Sequence, residues 1–316
     1  LIGANNNAGL HYYRGAIKWG ANPRFSKRLF SDQFFSYHFL ARHQNLLLGT
    51  FGAGIMVIPN SGATDFPDIA DGRLMTIASL DSGRILLGGL HGEVLQSDGR
   101  AFETLVDGGS QFVNFLRFLP EENLVLLENG KDAVLNLQTG QQTEVIFGSG
   151  KDVVRIGSGQ YAIATNRGVR LLQHKNGNFT VTPLQAISTD LRCYALAFNP
   201  ENNHFLVSTS AGLFLVTGDS ARELKFDLTS LLARTLTCVD GDMYIGSEQQ
   251  GLLHWDGDTL CPLLDTSQGL LTNQIHQFEF RGPYIYIATS AGFQIFSRNG
   301  SLVTTLGQAD GIRHFR

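Results

Sequence analysis

A short apolar run that ends in a small residue and, in most copies, a Ser or Thr recurs along this chain from end to end. The clearest copies are Leu46-Leu47-Leu48-Gly49-Thr50, Phe205-Leu206-Val207-Ser208-Thr209, Met243-Tyr244-Ile245-Gly246-Ser247 and Ile285-Tyr286-Ile287-Ala288-Thr289. Weaker copies start at Leu1, Ile85, Leu124 and Tyr161. The spacing is roughly 40 residues, the period of a repeat that cannot bury its apolar face alone and must stack on its neighbours.

Two further marks travel with the first. A glycine followed by an apolar stretch comes soon after each run, as in Gly54-Ile55, Gly168-Val169, Gly212-Leu213, Gly251-Leu252 and Gly292-Phe293; the fourth repeat departs, with Lys131-Asp132-Ala133 in that place. A second glycine follows among turn formers: Gly15, Gly62, Gly99, Gly140, Gly177, Gly218, Gly257 and Gly300. Asp-Gly and Asn-Gly between apolar runs are hairpin signals, because the tight turns that suit twisted strands need positive φ. Each repeat therefore reads as four strands. In the last one they are 275–280, 284–289, 293–297 and 301–306.

The second strand is apolar at nearly every position, as expected where a sheet is covered on both faces by its neighbours. Fourth strands are more polar, as at Gln141-Gln142-Thr143-Glu144. These features predict an all-β fold, a single β-propeller of about eight four-stranded antiparallel blades, seven being the alternative count. A parallel β-helix would have shorter repeats without four strands, and a leucine-rich array would show Leu at fixed offsets with an Asn. The domain is expected to span residues 1–316 and to be excised from a longer chain. Leu1 falls inside a second strand, and Asp310–Arg316 resembles the lead-in to a first strand; closure of the ring by the C-terminus would remove exposed edges, but the tail is short for it, so how the ring closes is left open.

Composition agrees with many short strands. Charged residues are only 16% of the 316, while Gly (36) and Phe (22) are abundant. The formal net charge is −4, with no Lys/Arg cluster in sequence, so nucleic acid is not an expected partner. No apolar stretch nears the ~18 residues of a membrane span. Cys193, Cys238 and Cys261 sit in apolar strand patterns and read as free thiols, a Cys193–Cys238 bridge between adjacent blades being the alternative.

Three arrangements that could carry chemistry read as turns. Gly148-Ser149-Gly150-Lys151-Asp152 resembles a phosphate loop, but Val145 stands where the first glycine should be and Asp152 where Ser or Thr should meet Mg²⁺. Asp240-Gly241-Asp242 and Asp256-Gly257-Asp258 pair carboxylates at hairpin positions, where turn geometry alone favours them. The nine histidines fall at unmatched points of the repeat, and first strands offer only single polar residues such as Asn114, Arg155 and His276. No catalytic, cofactor-binding or metal-binding residue is assigned, and the ligand site is left unknown.

The segment Gly269–Ile275, followed by Tyr286-Ile287-Ala288-Thr289 and Gly292-Phe293, resembles the two-component regulator propeller repeat of extracytoplasmic sensor regions in Bacteroidetes hybrid receptors. Gly251-Leu252-Leu253-His254-Trp255-Asp256-Gly257 matches that repeat's third strand and turn, while its usual second-strand Trp is replaced by Leu, Tyr or Ile. Related propellers of type IX secretion accessory proteins are nearly as similar. The resemblance implies a non-catalytic sensor or scaffold propeller in the periplasm or otherwise outside the cytoplasm, responding to polysaccharide-derived ligands. It would carry no cofactor and make no membrane contact itself, its partners being other receptor domains, another protein, an oligosaccharide or a second copy in a homodimer. A protein-interaction propeller of secretion or surface assembly is the second reading, and a metal-dependent lyase or lactonase the third. Segments Tyr13–Ser31 and Pro183–Asp190, where repeat length varies, are the expected recognition surfaces.

Overall fold

The computed structural model describes residues 2–5, 9–13, 25–30, 34–42, 45–51, 55–58, 74–80, 84–98, 101–109 and 111–306, with backbone alone up to residue 74. The first two repeats form three-stranded sheets. One is β1 (Ile2–Asn5), β2 (Gly9–Tyr13) and β3 (Phe25–Phe30); the other is β4 (Phe34–Arg42), β5 (Asn45–Phe51) and β6 (Ile55–Ile58).

Six full blades follow. The first is β7 (Leu74–Ser79), β8 (Ile85–Gly89), β9 (Val94–Ser97) and β10 (Phe102–Val106). The second is β11 (Phe115–Leu119), β12 (Leu124–Glu128), β13 (Asp132–Asn136) and β14 (Gln142–Glu144). The third is β15 (Gly150–Gly157), β16 (Gln160–Thr165), β17 (Gly168–Lys175) and β18 (Asn178–Pro183). The fourth is β19 (Cys193–Asn199), β20 (His204–Thr209), β21 (Gly212–Thr217) and β22 (Ser220–Phe226), extended by the short β23 (Thr229–Ser230). The fifth is β24 (Ala233–Val239), β25 (Asp242–Ser247), β26 (Leu252–Trp255) and β27 (Leu260–Leu264), and the sixth β28 (Ile275–Arg281), β29 (Tyr284–Thr289), β30 (Gly292–Ser297) and β31 (Leu302–Leu306).

The propeller thus has six four-stranded blades, which corrects the expected eight and the alternative seven. The reason is physical. The repeat marks belong to the second and third strands, whereas a blade also needs a first and a fourth. The two leading repeats carry the marks, but their described strands pair only in threes. Strand β4 lies against both β28 and β7, the inner strands of the last and first full blades. The C-terminal segment Asp310–Arg316, weighed for closure of the ring, lies outside the described residues. Among the described residues there is no α-helix, only a 3₁₀ turn at Thr266–Gln268.

Every blade is an antiparallel meander in chain order, and successive first strands pack against one another around the axis. The apolar residues collect between blades. Leu126, Val134, Tyr161, Ile163 and Leu172, for example, form one cluster between the second and third blades. This is why the second strands do not alternate: Ile163, Val207, Ile245 and Ile287 are all fully buried, with a neighbour on each face.

The first mark's small residue has the same origin. A Cβ at Gly246 would lie 2.5 Å from the Thr235 methyl and 2.8 Å from Ile275 of the next blade. At the matching position Ser208 donates to the Ala233 carbonyl, also in the next blade, at 2.6 Å. The terminal Ser or Thr closes the turn into the third strand. The hydroxyls of Thr165, Thr209, Ser247 and Thr289 donate to the carbonyls of Gly168, Gly212, Gly251 and Gly292 at 2.8–3.0 Å.

The turn glycines behave as the hairpin reading requires. Gly140, Gly177, Gly218, Gly257 and Gly300 have φ of 70°, 77°, 58°, 104° and 85°; Gly15, Gly62 and Gly99 lie outside the described residues. A Cβ on Gly177 would meet nothing within 4 Å, so only backbone strain opposes a side chain there. Gly177→Val is expected to lower the unfolding free energy by about 1 kcal/mol or slightly more, read from a urea melt. An unchanged midpoint would contradict the left-handed turn.

Candidate functional site

In each meander the connections from second to third strand and from fourth strand to the next blade's first strand emerge at one end of the ring. At that end the first strands of five blades carry an irregularity. Pairing to the second strand slips by one residue between Leu74 and Thr76, Gly150 and Asp152, Cys193 and Ala195, Ala233 and Thr235, and Ile275 and Gln277. The second blade has no slip there, with Phe115 opposite Glu128 and Leu116 opposite Leu127. A bulge frees one residue from the ladder and re-aims its side chain, and bulges favour barrel rims and sites. The extra residues are Met75, Lys151, Tyr194, Arg234 and His276.

Four consecutive blades therefore place Lys151, Tyr194, Arg234 and His276 at matching positions around the channel mouth. The guanidinium groups of Arg192 and Arg234 lie 5.4 and 5.8 Å from the centroid of the Tyr194 ring. Both arginines are exposed and Tyr194 is half-buried. Arg234 pairs with Glu248 at 2.6 Å. Burial pushes the Lys151 ammonium below the ordinary lysine range; the Arg192 charge lowers it further, against a counter-pull from Glu128 and Asp132. Burial, with the Arg234 charge, also brings the His276 imidazole down to about 4, so it is neutral at pH 7. Asp152 starts the regular part of β15, and burial raises its carboxyl while the Leu196 and Val153 amides donate to it at 2.9 Å, tying β15 to β19.

A cleft of about 350 Å³ opens at the connection that leads into β15, lined by Glu128, Lys131, Asp132, Ser149 and Arg167 among others. It sits at the one repeat that departs from the second mark. Asp132 there accepts backbone N–H bonds from Phe147 at 2.9 Å, from Gly148, and from Ser149 at 3.4 Å. The Ser149 hydroxyl donates to Glu128 at 2.8 Å. The loop resembling a phosphate site is thus a strand connection whose amide cluster is filled by the protein's own carboxylate, as expected for a turn.

The other singled-out residues lie apart. Asp240 and Gly241 form a hairpin turn at φ 54° and 85°. The Asp256 carboxylate accepts from the Thr259 and Asp258 amides, which holds it at about 2, again a turn role. Arg155, beyond the bulge, pairs with Glu121, and Asn114 is exposed. His174 stacks on Phe179, and His254 lies 3.3 Å from Asp242. All three cysteines are free, so the alternative bridge between Cys193 and Cys238 is absent. Burial raises the Cys193 thiol to about 12, leaving it unreactive.

Of the expected recognition segments, Tyr13–Ser31 falls outside the described residues except for backbone at its end. Pro183–Asp190 crosses the same end of the ring as the bulges, anchored by its own buried Ile187. Of the mouth residues, the sequence showed His276 as a single first-strand polar residue and Lys151 only within the turn resembling a phosphate loop, because each bulge shifts the register by one. The mouth's signal in sequence is the residue directly after each first-strand start, in Gly150-Lys151, Cys193-Tyr194, Ala233-Arg234 and Ile275-His276.

No family model matches the chain, and no curated protein does. Solved structures do. PorZ, a surface component of the type IX secretion system of Porphyromonas gingivalis, superposes with a TM-score of 0.67 at 13% identity, over 90% of this chain and 49% of that one. The extracellular domain of a putative one-component system from B. thetaiotaomicron gives 0.66 at 15%, over 90% and 40%. The Cps50 (Swd1) β-propeller domain of Myceliophteria thermophila gives 0.56 at 14%, over 74% and 86%. The chain therefore spans less than half the length of the first two. At these identities the likeness is one of fold, that of a β-propeller. No described helix is long and apolar enough to cross a membrane.

Proposed function

We propose that this chain is a non-catalytic recognition propeller of an extracytoplasmic protein, a sensor or scaffold module that works through the end of the ring carrying the bulges. One observation supports this above the others. Eight large apolar residues are exposed among the described residues, and five of them, Phe112, Ile146, Leu228, Leu232 and Leu271, lie on connections from one blade to the next at that end. Exposed apolar groups gathered on one surface mark an interaction site, and blade connections vary without disturbing the core. Polysaccharide-derived ligands are the class that the sensor resemblance brings. The apolar surroundings of the mouth favour the second reading, a protein-binding propeller of secretion or surface assembly. Among the described residues no group of three or more His, Cys, Asp or Glu could hold a metal, and the lyase or lactonase reading is left to the experiment below.

Elemental analysis of the purified protein, with turnover assays on lactones and uronate oligosaccharides, tests the reading. The expected result is substoichiometric metal and no turnover. Stoichiometric metal together with turnover would overturn it in favour of the enzyme.

A further inference from the structure

Resting on that recognition reading, we propose that the channel mouth binds a carboxylate of an acidic peptide segment, seated between Lys151 and Arg192 with Tyr194 and Arg234 behind it. Among the described residues no carboxylate comes within ion-pair distance of Lys151 or Arg192. Lys151 and Tyr194 hold the same bulge position on the neighbouring inner strands β15 and β19, and Arg192 lies 5.4 Å from the centroid of the Tyr194 ring, so the cations share one mouth. An arriving carboxylate gains the planar fork of Arg192, which suits a carboxylate bidentately. Of the nearby acids, Asp132 is engaged by backbone amides and Glu248 by Arg234, while Glu128 accepts from the Ser149 hydroxyl through one oxygen and leaves the other, Oε2, buried without a partner.

Two observations choose a peptide. Phe112, Ile146, Leu232 and Leu271, on the connections of that end, are exposed and call for apolar side chains that an oligosaccharide lacks. The chain as a whole carries −4, so a polyanion is repelled outside the small cationic mouth, while a few carboxylates with apolar neighbours are accommodated.

The test uses the full chain and fluorescein-labelled decapeptides in anisotropy titrations: alternating Glu and Leu, the same with Gln for Glu, and the same with Lys for Glu. The Glu peptide should bind saturably and the Gln peptide about tenfold more weakly, the loss of one charge-assisted hydrogen-bonded pair. Arg192→Gln, at an exposed position, should weaken the Glu peptide by about tenfold or more with an unchanged melt. Arg192→Lys should recover part of that loss. Lys225→Gln in the outer strand β22 should change nothing. Lys151→Gln is the second variant, its melt recorded because Lys151 is half-buried.

Equal binding of the Glu and Gln peptides, an Arg192→Gln protein that binds as before, or no saturable binding by about 1 mM each overturns the proposal. So does binding of an oligogalacturonate when the peptides fail. None of these results brings metal or turnover, so the recognition reading survives them and is judged by its own experiment.

Discussion

Ile163→Ala should lower the unfolding free energy by about 2–4 kcal/mol, while Ile146→Ala should change it by less than about 0.5 kcal/mol. The two isoleucines differ only in where the fold puts them. Ile163 is at 0% exposure in β16, with β15 and β17 on either side in its own sheet. It packs in the cluster that joins the second and third blades, among Leu126, Val134, Tyr161 and Leu172. Truncation removes three carbons from a surface that two blades share, and neither blade can move in without leaving the other. The lost transfer energy and the cavity therefore add. Ile146 is 74% exposed on a blade connection and gives up little. Urea melts of both variants, compared at equal slope, decide it. A loss below about 1 kcal/mol at Ile163 would mean that the blades are not packed face to face there.

The repeat marks were legible because each answers to a constraint that every blade shares. The small residue before Ser or Thr is where the next blade's inner strand presses in, at Gly246 and Ser208 alike. The hydroxyl after it closes the turn into the third strand. The turn glycines take the left-handed backbone of the last hairpin. Blade number was not legible from those marks, since they report second and third strands and are silent on whether a first and a fourth accompany them. The mouth was hidden for another reason. His276 was legible as a single first-strand polar residue, but Lys151, Tyr194 and Arg234 fall into line with it only once a one-residue slip is inserted at each first strand, and periodicity in a sequence carries no record of such a slip. Tertiary pairing places it.

The glycine that opens the third strand has a heavier task than the turn glycines, and Gly251→Ala should show it. Gly251 has φ +76°, and a Cβ there would stand 2.2 Å from the Leu264 carbonyl oxygen, where the chain leaves β27 for the next blade. Its own amide donates to the Asn273 carbonyl at 3.0 Å, so the connection Leu264–Asn273 is bound down onto it. Gly92 and Gly168 meet the Gln111 and Ser188 carbonyls in the same way, at 2.6 and 3.1 Å. Alanine at Gly251 therefore meets both left-handed strain and a backbone that must move. The expected loss is about 3 kcal/mol or more. Gly257→Ala, at φ +104° with nothing within 4 Å of its Cβ, carries the strain alone and should lose about 1 kcal/mol. The difference between the two, measured by denaturant melts, isolates the close approach. Equal losses would show that the connection does not rest on Gly251. Because Leu271 rides on that connection, Gly251→Ala should also raise amide exchange between residues 265 and 274, while Gly257→Ala leaves it unchanged.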